Sequence, residues 1–82
     1  MSTYTDAEAD ILLSLDNAYA EDPSPESGRT YCEGEDEYDT AQGLLKRGLL
    51  RKVEDGTFDA GAKWIHFGLT DDGFKATEKL CA

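Results

Sequence analysis

Residues 40–53 read TAQGLLKRGLLRKV, and this stretch contains the end of a helix and the start of a strand. Apolar residues recur at helical spacing around it, namely Tyr38, Ala41, Leu44, Leu45 and Leu49. This stripe predicts an amphipathic helix over residues 37–47, with Asp36 or Asp39 as its N-cap. Gly48 suits the left-handed residue that follows a helix, so residues 49–53 are predicted to continue as a strand.

The downstream sequence predicts a second strand and a wing. Residues 63–69 alternate between faces, which predicts a half-buried strand. Its core-facing residues are predicted to be Ile65, Phe67 and Leu69. Residues 54–62 separate the two strands and contain the turn-forming pair Asp55-Gly56. This segment is longer than a two-residue hairpin loop, so it is predicted as a protruding wing.

Helices are also predicted at the two ends of the chain. Thr5 and Glu8 have the spacing of a capping box, which predicts a helix over residues 6–20. The inward stripe of this helix is predicted to contain Ile11, Leu12, Leu15 and Tyr19. Thr70 is predicted to cap a last helix over residues 71–80.

The segment between the first two helices is predicted to be an acidic loop. Residues 21–35 are rich in proline, glycine, serine and carboxylates, which favours loop structure. Residues 29–32 suit a short strand within it. With 82 residues the chain has room for one core. The prediction is a single α+β domain over residues 1–82, built as helix, loop with short strand, helix, two-stranded wing and helix.

This order of elements resembles the winged-helix domain of MarR-like and PadR-like regulators. Residues 40–53 resemble their recognition helix and first wing strand, where a helix closes on a Leu-x-x-x-Gly-Leu pattern. Residues 67–73 resemble the second wing strand running into a Leu-Thr-x-x-Gly helix start. The resemblance covers residues 38–80. It implies a winged-helix fold in which the N-terminal part of the recognition helix enters the DNA major groove.

The sequence departs from these families in two places. A helix-turn-helix needs a helix packed across the recognition helix and joined to it by a tight turn, whereas residues 21–35 offer loop-forming residues. The second departure is a cluster of carboxylates at the end that would enter the groove, namely Glu33, Glu35, Asp36, Glu37 and Asp39.

Charge is divided unevenly along the chain. Residues 1–39 contain twelve acids and one base, whereas residues 40–82 contain six acids and seven bases. DNA affinity depends on cationic side chains that displace counterions from phosphate, so acids at the reading end oppose it. We therefore predict a non-catalytic inhibitor or adaptor that binds a basic nucleic-acid-handling protein. The five carboxylates would stand in for phosphates, as in a DNA mimic.

Two alternatives stay open. A dimeric winged-helix transcriptional regulator would bind DNA through a basic patch, with the acids facing away. Its candidate DNA-binding residues are Lys46, Arg47, Arg51, Lys52, Lys63 and Trp64. A structural or dimerisation module would carry its acidity for solubility or as a salt adaptation. For the inhibitor hypothesis, the comparison is with small acidic proteins of viruses and mobile elements that disarm host defence, including anti-CRISPR proteins. The chain is similar to them in size and charge.

Catalytic and metal-binding patterns are weak in this sequence. Cys32, His66 and Cys81 lack the paired spacing of zinc ligands, and residues 22–33 have Ser27 where a calcium-binding EF-hand loop requires glycine. No glycine-framed nucleophile is present. We expect neither an enzyme nor a cofactor.

The expected compartment is the cytoplasm, or the host cytoplasm for a viral protein. No apolar run approaches the roughly 20 residues that span a bilayer, and no secretory leader is recognisable. The two cysteines are expected to be reduced thiols.

Overall fold

The computed structural model describes residues 4–81, in which three helices pack against a three-stranded antiparallel sheet. The elements in chain order are α1 (Asp6–Glu21), β1 (Arg29–Cys32), α2 (Asp36–Lys46), β2 (Leu50–Thr57), β3 (Lys63–Leu69) and α3 (Asp71–Cys81). The strand order is β1-β3-β2, so β3 is central. The predicted small α+β architecture is confirmed, and the arrangement is compatible with a winged helix. Of the predicted domain, residues 1–3 and 82 lie outside the described residues.

One core joins the helices to the sheet. Its largest fully buried side chains are Leu12, Leu15, Leu44, Leu50 and Phe67. Each side chain of this size contributes about 1.5–3 kcal/mol when it leaves water. Tyr19 was predicted on the inward stripe of α1 but is 40% exposed. It packs edge to face against Phe74, with ring centroids 4.9 Å apart, and leaves the rest of its ring in solvent.

The caps of α1 and α3 confirm the sequence prediction, and the cap of α2 does not. The Glu8 N–H donates to Thr5 Oγ1 at 3.1 Å, and the Thr5 N–H donates to Glu8 Oε1 at 2.8 Å. Helix α2 instead has Glu35 at its N-cap position, without a side-chain cap hydrogen bond. The prediction of Asp36 or Asp39 was wrong because the turn after β1, with Gly34 at φ +98°, brings the chain into helical conformation at Asp36.

The end of α2 explains the pattern in residues 44–49. The Leu49 N–H donates to the Leu44 carbonyl at 3.1 Å, and the Gly48 N–H donates to the Leu45 carbonyl at 3.0 Å. Gly48 has φ +80°, a conformation that costs glycine little. These bonds form a Schellman motif, which satisfies the last carbonyls of the helix.

The start of α3 is fixed against this helix end. Thr70 Oγ1 donates to the Gly48 carbonyl at 2.7 Å and accepts from the Gly73 N–H at 3.1 Å. A Cβ at Gly73 would lie 2.1 Å from the Leu49 carbonyl oxygen, so only glycine fits. The Leu-x-x-x-Gly-Leu and Leu-Thr-x-x-Gly patterns thus form one packed joint between α2 and α3.

The hairpin of β2 and β3 is more regular than predicted. Strand β2 continues to Thr57 through a bulge at residue 53, and the connecting turn spans residues 58–62. The turn predicted at Asp55-Gly56 was wrong because Gly56 lies opposite Trp64 in the sheet. A Cβ at Gly56 would lie 2.5 Å from the indole Cζ2, so the ring packs directly on the glycine. Cross-strand packing therefore outweighs local turn propensity at this position.

The connection between β1 and α2 is short. It contains three residues, 33–35, and the Glu35 N–H donates to the Cys32 carbonyl at 3.1 Å. Within residues 4–81, no helix lies between β1 and α2. The sequence predicted that the helix usually packed across the recognition helix would be missing. A strand and a tight turn stand in its place.

Candidate functional site

The carboxylates predicted as a protein-binding site lie together at the start of α2. Three of them are in the first turn of the helix, and two are in the turn that precedes it. All are exposed, and none forms an ion pair with another of the described residues. These residues form the acidic edge: Glu33, Glu35, Asp36, Glu37 and Asp39.

The acidic edge also has a local structural role. The N-terminus of a helix carries a partial positive charge, and a carboxylate near it contributes about 0.3–1 kcal/mol. Asp36, Glu37 and Asp39 occupy this position in α2. Their stabilising effect on the helix offsets part of the repulsion between the three carboxylates.

A groove lies beside the acidic edge, between α1, β1 and α2. Its volume is about 360 Å³. Its floor contains Ile11 and Tyr31, which are 3% and 9% exposed, and the small side chains of Ala7, Ser14 and Thr40 line its sides. The groove therefore has two buried apolar side chains at its base.

The rim of the groove is mostly acidic. Asp10 contributes a carboxylate from α1, and Asp36 and Glu37 contribute two from α2. Arg29 of β1 supplies one positive charge, and it forms no ion pair with another of the residues 4–81. The groove thus has carboxylates on both of its helical sides.

Tyr31 experiences the charges around this groove. Burial raises the pKa of the Tyr31 phenol, Arg29 opposes this shift, and Glu37 and Glu35 add to it. The phenol therefore stays neutral at physiological pH. It offers the groove a ring and a hydroxyl without adding charge.

The residues of the DNA-binding alternative are distributed over three elements. Lys46 is the last residue of α2 and Arg47 is its C-cap, whereas Lys52 lies near the start of β2. Lys63 pairs with Thr57 at the far end of the hairpin. Lys52 lies opposite Phe67, which is four residues from Lys63 on β3, so the two lysines are about 13 Å apart along the strand at roughly 3.3 Å per residue.

Two of these cations form ion pairs within the protein. Arg47 Nη1 lies 3.1 Å from Glu8 Oε2, and its guanidinium lies 4.9 Å from the centre of the Tyr4 ring. Lys52 Nζ lies 3.2 Å from the Asp55 carboxylate. Contact with phosphate would therefore compete with interactions inside the protein.

Arg51 and Trp64 have structural contacts as well. Arg51 donates to the Leu69 carbonyl at 3.3 Å and to the Pro25 carbonyl. Trp64 is half-buried and packs on Gly56. Lys46 and Lys63 are exposed and form no ion pair within residues 4–81.

The residues considered as metal ligands have other environments. His66 Nε2 lies 2.9 Å from the Glu26 carbonyl oxygen, so this nitrogen carries a proton and donates. His66 Nδ1 lies 2.8 Å from Thr30 Oγ1. Cys32 and Cys81 are free thiols. Among residues 4–81, no group of three His, Cys, Asp or Glu side chains could hold a metal ion.

The sequence did not predict the groove. Arg29 is the single base among residues 1–39, and this isolation is the signal that could have drawn attention to its neighbours. The exposure of Phe58 in the hairpin turn, at 47%, was also missed. The wing was predicted as a loop over residues 54–62, and Phe58 was not singled out within it.

Comparison with known proteins gives no match, so the function is inferred from the fold and from the surfaces described above. In the described part of the chain, no helix is long and apolar enough to cross a bilayer. The likeness to a winged helix rests on the order of the elements and on the joint between α2 and α3. The sequence matches no family model, no curated protein and no solved structure.

Proposed function

We propose that this protein is a non-catalytic binding module whose acidic edge engages the basic, nucleic-acid-binding surface of a partner protein. One observation carries the proposal: five exposed carboxylates converge on one helix end, and no cation in residues 4–81 pairs with them. Concentrated charge of one sign steers an oppositely charged partner and raises the association rate. The net charge of −10 extends this attraction to the whole chain.

The proposed mode of binding is imitation of a nucleic acid backbone. Asp36 and Asp39 are separated by about 4.5 Å along the helix axis at 1.5 Å per residue. Both side chains are exposed in the first turn of α2. A partner surface that binds phosphates would accept these carboxylates, and the protein would inhibit or redirect its partner by occupying that surface.

The proposed origin of the fold is a winged-helix domain of the MarR-like or PadR-like kind. The strand order and the joint between α2 and α3 support this relationship. The small size and acidity are similar to those of viral and mobile-element proteins that disarm host defence, including anti-CRISPR proteins. An inhibitor of this kind would act in the cytoplasm of its host.

The proposal is tested by neutralising the acidic edge. We expect Asp36→Asn/Asp39→Asn to lose retention of nucleic-acid-binding proteins from nuclease-treated host extract. Asp71→Asn/Asp72→Asn is the matched control, because those two exposed aspartates occupy the first turn of α3. Retention that is equal for both variants would contradict the proposal and favour a structural module.

A DNA-binding regulator is the second candidate, favoured by the winged-helix-like order of the elements. Titration of the protein with duplex DNA over a range of salt separates the two candidates. We expect no micromolar binding. Salt-sensitive binding at micromolar concentration or tighter, lost in Lys46→Ala/Lys63→Ala, would overturn the mimic and establish the regulator.

A further inference from the structure

We infer that the groove between α1, β1 and α2 receives an amphipathic basic helix of the partner protein. The apolar side chains of that helix would enter the groove, and its Lys or Arg residues would contact the rim. The inference rests on the proposed function, because it specifies the element that the same partner presents. It adds an apolar contact to a surface otherwise defined by charge.

The size of the groove suits the side chains on one face of a helix. Ligand sites typically have volumes of roughly 300–1,000 Å³, and the groove, at about 360 Å³, accommodates a few aliphatic side chains. Its apolar floor is formed by Ile11 and Tyr31. Two helices, α1 and α2, flank this floor. An amphipathic helix binds such a surface by placing residues i, i+3, i+4 and i+7 in the groove.

The connectivity explains why this space is open. In a helix-turn-helix, the helix that precedes the recognition helix packs across it. Here the three-residue turn 33–35 connects β1 directly to α2. A space therefore stays open beside the acidic edge, between α1, β1 and α2. A helix supplied by another protein would complete this layer.

The charge of the rim selects the kind of helix. Asp10 stands on one side, and Asp36 and Glu37 stand on the other, so a basic helix meets carboxylates on both flanks. Arg29 is the one base among the described residues that line the groove. A nucleic acid is disfavoured by the same charges. Within residues 4–81, a second copy of this chain offers no suitable helix, because α1, α2 and α3 each carry acids in the first turn.

The probe is a synthetic Leu/Lys peptide of about 18 residues, long enough to form an isolated helix and patterned to be amphipathic. A scrambled peptide of identical composition has the same charge without the apolar face. Each is titrated into the ¹⁵N-labelled full chain. We expect the patterned peptide to bind at least about tenfold more tightly. The amide shifts should centre on Ile11, Ser14 and Thr40.

Two alanines of α1 are each replaced by phenylalanine to test where the patterned peptide binds. Ala7 lines the groove and Ala20 does not, and both are exposed. Ala7→Phe should fill the groove and abolish the preference for the patterned peptide, whereas Ala20→Phe should preserve it. Ser14→Phe is a second groove variant, two helical turns from Ala7. Thermal unfolding of each variant verifies that it is folded.

The outcomes distinguish the groove from the proposed function. Equal binding of both peptides, lost in Asp36→Asn/Asp39→Asn, would overturn the groove and leave the acidic edge in place. A preference that survives Ala7→Phe and Ser14→Phe would also overturn the groove. A preference that is lost in those variants but unchanged in Asp36→Asn/Asp39→Asn would support the groove and contradict the proposed function. Absence of binding to either peptide would contradict both.

Discussion

The two ends of α2 differ in what the protein itself does with their charges. At the C-terminal end, Arg47 contacts Glu8 and the Tyr4 ring, and the Schellman motif holds the backbone. At the N-terminal end, Asp36 and Asp39 are exposed and form no ion pair within residues 4–81. The amount of charge on a surface is therefore a poor guide to a binding site. Charges without an internal partner are the ones available to another molecule.

The C-terminal end should be disrupted most by Gly73→Ala. The new Cβ would lie 2.1 Å from the Leu49 carbonyl oxygen, so the joint between α2 and α3 must open. We expect a loss of about 1–3 kcal/mol in the free energy of unfolding, measured by urea denaturation. Gly43→Ala is the control, because its Cβ would meet nothing within 4 Å. That variant should gain about 0.5–1 kcal/mol from helix propensity, and equal effects of the two would contradict this account of the joint.

Removal of the α1 cap should have the next largest effect on stability. Thr5→Ala removes the hydroxyl that accepts from the Glu8 N–H, and such changes cost about 1 kcal/mol. The change should also loosen Glu8 as the partner of Arg47. Thermal unfolding of Thr5→Ala and Thr5→Ser measures the cap, since serine retains the hydroxyl. Full stability of Thr5→Ala would show that the capping box contributes nothing here.

The pairing of Glu8 should also appear in the pH dependence of stability. The hydrogen bond from the Thr5 backbone N–H is the main cause that lowers the pKa of Glu8 below its ordinary value of 4.5; burial opposes it, and the Thr5 hydroxyl and the Arg47 guanidinium add to the lowering. A carboxyl group with a lowered pKa in the folded state contributes stability above the unfolded pKa. That contribution is lost as pH falls through the folded pKa. Below about pH 4.5, the free energy of unfolding should therefore fall less steeply in Glu8→Gln than in wild type. Denaturation of both proteins over a range of pH measures this difference.

Neutralising the N-terminal end should change stability little. Asp36→Asn/Asp39→Asn removes favourable contacts with the helix dipole but also relieves repulsion within the acidic edge. We expect a change below about 1 kcal/mol in the free energy of unfolding. The large loss of partner binding predicted for this variant can then be attributed to the surface. A strongly destabilised double variant would assign the carboxylates a mainly structural role.

The smallest effect is expected at the exposed pair of Lys52 and Asp55. Their side chains are about half exposed, and such pairs contribute roughly 0.2–1 kcal/mol in double-mutant cycles. We expect the lower part of this range for Lys52→Ala combined with Asp55→Ala. A coupling energy above that range would show that Lys52 is held by Asp55 more firmly than an ordinary exposed ion pair.

Local hydrogen-bonding patterns were readable from the sequence. The capping box at Thr5, the glycine after α2 and the cap at Thr70 each depend on residues within five positions of one another. Their backbone groups are satisfied by these local bonds in almost any tertiary context, so the predictions of these helix ends were confirmed. The contiguous acidic edge was visible for the same reason.

Contacts between distant residues were not readable. Gly56 lies in a strand because Trp64 packs on it across the sheet, and Arg47 pairs with Glu8 from 39 positions away. Neither contact follows from periodicity or turn propensity. The groove is open because no helix lies between β1 and α2. The sequence indicated that this helix is missing, but it did not indicate the space between α1, β1 and α2.

The short turn between β1 and α2 has a consequence for the entropy of association. The Glu33 N–H donates to the Lys63 carbonyl at 2.7 Å, and the Glu35 N–H donates to the Cys32 carbonyl at 3.1 Å. The backbone beneath the acidic edge is therefore ordered before any partner arrives. Only side-chain rotamers are left to immobilise, at about 0.5–1.5 kcal/mol each. A disordered acidic tail of equal charge would lose much more conformational freedom on binding.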